Sequence, residues 1–306
     1  MIEATLYTDA GCPWAYSASP ALRVLEWRFR DQLAWRLVMI GLRELPSEAA
    51  IRSFDPQRAL ARWRVYEERY GMPFGSTPKE RPAGTGRGCR AVVAAGMLEP
   101  GSEWRVFRAL QLANFTTTLC LDDAESIRAA LAGVPAVDAR RIAELVDADD
   151  VVAEYERQLE EARSAAGSPA EAQGKTATAE GRVRFTAPSL ALSRNGESVV
   201  AGGWQPLLAY DLLLANLDPA LDRVPPPESP EPLLEFFPDG LTTAEVALLL
   251  ADGPDPVPDY ALAELLLAES VEAGAATREP LGSSALWTLS QPLASGAGSP
   301  ATHAHV

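Results

Sequence analysis

The stretch Tyr7-Thr8-Asp9-Ala10-Gly11-Cys12-Pro13-Trp14-Ala15 carries the chain out of an extended segment, through an acidic turn and into a helix, with a cysteine at the joint. Upstream, Ile2-Glu3-Ala4-Thr5-Leu6-Tyr7-Thr8 mixes alternating apolar positions with β-branched residues, the pattern of a strand. Downstream, Ala15 to Arg30 sets Tyr16, Leu22, Leu25 and Phe29 near helical spacing with Arg and Glu between them, which predicts an amphipathic helix. Leu33 to Ile40 alternates again and predicts a second strand, so the cysteine opens the helix of a β-α-β unit.

From about residue 46 to residue 173 the pattern is helical: Pro56 to Tyr70, Gly88 to Leu98, Glu103 to Asn114, Ala124 to Ala132 and Ala136 to Ala165. A stretch rich in Gly, Ser, Ala and Thr at 167–181 then releases the chain back toward the sheet. Phe185 to Leu192 and Ser198 to Ala201 read as the arms of a hairpin turning through Asn195-Gly196, and Leu207 to Leu217 as a closing helix. The expected organisation is a α/β domain over residues 1–220, its sheet interrupted by a large helical insertion. A proline-rich linker at 221–232, with Pro225-Pro226-Pro227, Pro230 and Pro232, follows. A small unit at 233–290 comes next: a helix from Thr242 or Thr243 to Leu250, a helix from Tyr260 to Ala273 and a hairpin from Thr277 to Leu289 turning at Gly282-Ser283, an order like that of a winged helix. The tail at 291–306 is small and polar and reads as disordered.

Composition narrows the chemistry. With 306 residues and 47 % hydrophobic content the chain can bury a substantial core. The formal charge of −15 disfavours phosphate backbones and anionic lipid headgroups, so neither nucleic acid nor a membrane is an expected partner. The unit after residue 220 sharpens the point, since it sets two arginines, Arg223 and Arg278, against thirteen carboxylates. No charged leader before an apolar run opens the chain, and no apolar stretch reaches about eighteen residues; the expected location is the cytoplasm. Both histidines, His303 and His305, lie in the tail, so the body offers no imidazole for a Ser-His-Asp or Cys-His arrangement or a histidine metal site. Three cysteines far apart, Cys12, Cys89 and Cys120, read as reduced thiols and not as a disulfide framework.

Tyr7 to Trp14, with Cys12-Pro13-Trp14 at the helix start, resembles the opening of the DsbA-like branch of the thioredoxin superfamily, and Thr186-Ala187-Pro188 resembles that branch's cis-proline loop. The resemblance covers about residues 1–220. It implies a thioredoxin fold, a cis Pro188, and a thiol site at Cys12 with Pro13, Trp14, Ala15, Ala187 and Pro188 around the bound thiol or peptide. Ala15 departs from the pattern, because it stands where the second cysteine of Cys-x-x-Cys is usual.

A helix start offers unpaired N–H groups and partial positive charge, which favour thiolate over thiol, and a cysteine followed by Pro and Trp is expected to be exposed there with an acidified thiol. The expected function is a single-cysteine thiol oxidoreductase whose mixed disulfide is resolved by a low-molecular-weight thiol such as glutathione or by a distant cysteine, for which Cys89, at the start of a helix beside Arg90, is the candidate. Its partners are then a small thiol or a disulfide-containing protein, with no tightly bound cofactor and no metal. Two alternatives stay open: an enzyme like the kappa-class glutathione transferases and hydroxychromene-carboxylate isomerases, in which Cys12 activates a bound small thiol by hydrogen bonding, or a non-catalytic interaction protein. Trp14 and Tyr16 read equally as cleft walls or packing, Cys120 as packing, and the glycine-punctuated stretch Arg81 to Arg90 as a flexible loop over the cleft and not a phosphate loop.

Overall fold

Ile2–Thr8 buries alternate positions and then three in succession, forming β1 as an inner strand covered on both faces. The chain then turns into α1 (Pro13–Ser17), breaks at Ala18, and restarts as α2 (Ser19–Phe29) with Pro20 in its first turn. The single helix expected over 15–30 is therefore two, because Pro20 cannot donate into a continuous ladder. β2 (Leu33–Met39) returns parallel to β1, with Ile2 opposite Leu33 and Thr8 opposite Met39. The structure, a computed structural model, describes residues 1–253 and 255–290; the expected tail and both histidines lie outside the described residues.

The insertion is helical as expected, with two differences. It runs through α3 (Glu48–Arg52), α4 (Pro56–Tyr70), α5 (Gly86–Leu98), α6 (Glu103–Thr116), α7 (Ala124–Leu131), α8 (Ala139–Leu145), α9 (Asp149–Ala162) and α10 (Pro169–Ala172). The helix expected over 136–165 is thus divided into α8 and α9, and the Asp147 carboxylate in the gap takes charged hydrogen bonds from Arg87 and Arg90. The stretch read only as releasing the chain toward the sheet leads into a hairpin, β3 (Thr176–Ala179) with β4 (Arg182–Phe185). Its two-residue turn, Glu180-Gly181, has positive φ at both positions, the geometry that matches strand twist.

β5 (Ser189–Arg194) pairs antiparallel with β1, and β6 (Glu197–Ala201) with β5, completing a sheet in the order β2-β1-β5-β6. Asn195 and Gly196, both at positive φ, make the predicted turn. α11 (Leu207–Leu217) closes this region. The proline run then lies along α2: the Trp27 indole donates to the Pro225 carbonyl at 2.9 Å and the Val224 N–H to the Arg28 carbonyl at 2.9 Å.

The last region comprises α12 (Glu231–Phe236), β7 (Leu241–Thr242), α13 (Thr243–Leu250), α14 (Tyr260–Glu272), β8 (Ala276–Leu281) and β9 (Ser284–Leu289), with sheet order β7-β9-β8. Leu233, Leu234, Phe237, Val246 and Trp287 belong to the same buried cluster as Ile2, Leu6, Leu25 and Leu110. A fully buried ion pair fastens it: the Glu245 carboxylate accepts from Arg108 at 2.7 and 2.8 Å and from the Ser19 hydroxyl at 2.5 Å. Glu245 also accepts from the Thr242 N–H at 2.8 Å, closing a capping box at the start of α13.

Candidate active site around Cys12

Cys12 caps α1, with its backbone extended and Pro13 in the first helical position, where a missing N–H costs nothing. The side chain does not face water. It is 3 % exposed, and it packs with Tyr7, Ala15, Val38, Phe185 and Ala187 in a small apolar cluster beside the main core. Its Sγ–H donates to the Ala187 carbonyl at 3.3 Å. The Ala187–Pro188 peptide bond is cis. The structure thus brings together Cys12, Pro13, Ala15, Ala187 and Pro188, which the resemblance implied as one site from positions far apart in the chain.

The expectation of an exposed, acidified thiol is corrected. Burial pushes the Cys12 thiol from 9.0 up to about 12, and the negative charge of Asp9 adds to the rise. The helix-start N–H groups of Ala15 and Trp14 and the positive charge of Arg184 pull the other way and lose. The reason is scale. Three pH units correspond to about 4 kcal/mol, whereas a helix terminus contributes roughly 0.3–1 kcal/mol at an exposed site, and α1 is only five residues long.

Asp9, which the sequence reading treated only as part of a turn, organises the site. Its carboxylate is fully buried and accepts from the N–H of Gly11 at 2.8 Å, the N–H of Leu42 at 2.7 Å and the hydroxyl of Thr85 at 3.0 Å. It thereby ties the end of β1, the segment after β2 and the start of α5 around the cysteine. Arg184 on β4 acts electrostatically on Cys12; it is half-buried, forms no ion pair among the described residues, and is held below its ordinary value by burial. An isolated arginine on a hairpin that the sequence did not predict left no signal to find it by.

Cys89, the candidate distant resolving thiol, lies on α5 with no exposure, in the main core beside Asp9 and Ala10. Burial pushes its thiol well above the ordinary value. Cys120 is buried as expected, and all three cysteines are free. Tyr16 is core, stacked on Phe115 at 4.8 Å with its hydroxyl donating to the Pro73 carbonyl at 2.8 Å. Trp14 instead stands 38 % exposed, edge-on to Tyr66 at 5.2 Å and Tyr70 at 5.6 Å, so α4 of the insertion supplies an aromatic wall beside the cysteine.

The stretch Arg81 to Arg90, expected as a flexible flap, is fixed. The Thr85 N–H donates to the Arg43 carbonyl at 2.7 Å and the Gly84 N–H to Asp122 at 2.9 Å. Gly84 is required by close approach, because a Cβ there would meet the Glu44 carbonyl oxygen at 2.2 Å. This stretch and α4 enclose a cavity of about 530 Å³ that reaches Gly11 and Pro13. No group of three or more candidate metal ligands occurs among the described residues, and no helix among them is long and apolar enough to cross a membrane.

Two solved structures share this architecture. A protein from Nitrosomonas europaea, assigned by name to the protein disulfide isomerases, superposes with a TM-score of 0.54 at 15 % identity, over 70 % of this chain and 96 % of its own. A Streptomyces coelicolor protein named as a DsbA oxidoreductase gives a TM-score of 0.52 at 16 % identity, over 72 % of this chain and 91 % of its own. At these identities the likeness is one of fold: the chain carries a DsbA-like thioredoxin fold. No family model and no curated protein matches the sequence.

Proposed function

We propose that the protein is a thiol–disulfide oxidoreductase that works through the single cysteine Cys12. The observation that supports this reading is the placement of the Cys12 sulfur at 3.3 Å from the Ala187 carbonyl, at a helix start and against the strand-like edge before Pro188. Such an edge offers backbone hydrogen bonds to an incoming peptide or small disulfide. Opening of the cleft to admit substrate lets water take the Cys12 proton, and the thiolate attacks one sulfur of a substrate disulfide. A Cys12–substrate disulfide forms, and the other substrate sulfur leaves as thiolate. Because Ala15 cannot resolve that bond, a low-molecular-weight thiolate, of which glutathione is the reference compound, attacks the substrate sulfur and returns Cys12 as thiolate. The expected partners are therefore small thiols and disulfides, with neither nucleic acid nor membrane involved, and the expected setting is a reducing cytoplasm. The C-terminal unit, winged-helix-like in its element order, is read as a packing unit.

The elevated Cys12 ionisation favours a second reading, in which the neutral thiol donates a hydrogen bond to the thiolate of a bound small thiol, as in a transferase or isomerase. One comparison separates the two: turnover of a small aromatic disulfide with glutathione as reductant, in the full chain and in Cys12→Ser. Loss of at least about 100-fold in the serine variant supports covalent exchange, and Cys89→Ser should leave turnover unchanged. Full exchange activity in Cys12→Ser overturns the proposal. Conjugation of a bound thiol to an electrophile, retained by the serine variant, supports the second reading.

A further inference from the structure

The cavity that begins at Gly11 and Pro13 has a wall chemistry at odds with the rest of this acidic chain. Five cations line it, Arg43, Arg58, Arg62, Lys79 and Arg81, with a single carboxylate, Asp55, whose oxygen is occupied in accepting from the N–H groups of Gln57 and Arg58 at the start of α4. Arg81 is neutralised by Asp122 at 2.7 Å, but Arg43, Arg58, Arg62 and Lys79 form no ion pair among the described residues. Elsewhere most arginines of the chain find a carboxylate partner, as Arg28, Arg36, Arg90, Arg105 and Arg223 do. In a protein with a net charge of −15, a group of unpaired cations around one concavity is a local reversal of the field.

Lys79 makes the case stronger than surface charge alone. It is one of two lysines in the chain, is only 7 % exposed, and its ammonium group donates to the Leu119 carbonyl with no carboxylate in reach. Burial brings it down to about 8, against a smaller opposing pull from the Asp122 carboxylate, which is itself paired with Arg81. A buried cation with no directly paired carboxylate is costly for a fold to hold without a ligand. The remaining lining is apolar, with Leu60, Trp63 and Phe115, and the volume of about 530 Å³ suits a small organic molecule and not a peptide chain. Tyr66 belongs to the same wall and stands edge-on at 5.2 Å to Trp14, two residues after Cys12, which places the cavity beside the start of α1.

We propose that this cavity binds a small substrate or co-substrate bearing at least two anionic groups, phosphate or carboxylate, held by Arg43, Arg58, Arg62 and Lys79, with its sulfur end directed past Tyr66 and Pro13 to Cys12. The sulfur end of this statement rests on the exchange reading of Cys12; the anion site does not. Arginine supplies forked donors that suit either oxyanion, and the buried lysine a point charge.

The test is calorimetric titration at low salt of inorganic pyrophosphate and, separately, citrate into the full chain, into Cys12→Ser and into the double variant Arg58→Ala with Arg62→Ala. Both arginines are exposed, so their removal leaves the core intact. One saturable site for at least one probe is expected, unchanged in Cys12→Ser, weakened at least about tenfold in the double variant and weakened further as salt is raised. The tighter of the two probes identifies the anion as phosphate or carboxylate. Failure of both probes to saturate, or equal binding by the double variant, overturns the proposal. Probe binding without exchange activity would sink the reading of Cys12 and leave the anion site standing; exchange without probe binding would do the reverse.

Discussion

Cys12 and Glu245 are both sealed from water, and their acidities move in opposite directions. Around Cys12 the fold offers the sulfur one carbonyl acceptor and a set of apolar side chains, so burial dominates and the group is held neutral, with its ionisation raised to about 12. Around Glu245 burial also works against the charge, but Arg108, Arg23 and Ser19 outweigh it and bring the carboxyl down to about 2. Burial alone thus does not determine charge; the donors built around the group do. One region is arranged to keep a charge, the other to withhold one until something enters.

Removing Arg108 breaks this contrast most severely. Arg108→Met leaves a carboxylate buried without its partner and should lower unfolding free energy by about 3–5 kcal/mol in urea titration, and pairing it with Glu245→Leu should recover most of that loss. An acid titration of the wild type sharpens the same point. The Glu245 contribution is complete above its ordinary value of 4.5 and is lost as pH falls toward 2, a loss that the double variant should not show.

The Cys12 arm responds at the other end of the pH scale. Its folded value lies above its unfolded one, so its contribution is intact below pH 9.0 and declines as pH rises toward 12, by about 1.4 kcal/mol per pH unit. Alkaline unfolding should therefore be steeper in the wild type than in Cys12→Ala. Iodoacetamide labelling of Cys12, followed by peptide mass, should stay slow until well above the reference value of about 8.5; rapid labelling at neutral pH would end the contrast. A smaller effect is expected from Thr242→Ala, which removes one side of the capping box next to Glu245 and should cost about 1 kcal/mol. The smallest belongs to Arg23→Met, whose guanidinium approaches Glu245 only at 3.9 Å; a few tenths of a kcal/mol in thermal melting is the expected scale.

Local chemistry explains which features could be read in advance. The strand before Cys12, the Asn195-Gly196 turn and the Thr242 helix start are each written in a few adjacent residues, and the structure has all three. The cis-proline loop was legible only through resemblance, since nothing near Pro188 in sequence points to Cys12. What escaped the reading is set by residues distant in the chain. Cys12 is covered by Phe185 and Val38, Asp9 is satisfied by Leu42 and Thr85, and Arg108 meets Glu245 across 137 positions. The β3–β4 hairpin was missed for the opposite reason: a four-residue arm of Thr and Ala is too short to show a period.

The span between Arg108 and Glu245 also sets an order of events at the ribosome. A nascent chain presents Arg108 long before the carboxylate that satisfies it has been made, by a lag of roughly 7–27 s at common elongation rates. Over that interval α2 has an open flank and Arg108 a water-bound guanidinium where the finished molecule has a sealed seam. The acidic unit thus works as the last stone of the arch: the seam among α2, α6 and α13 closes only once α13 has been synthesised.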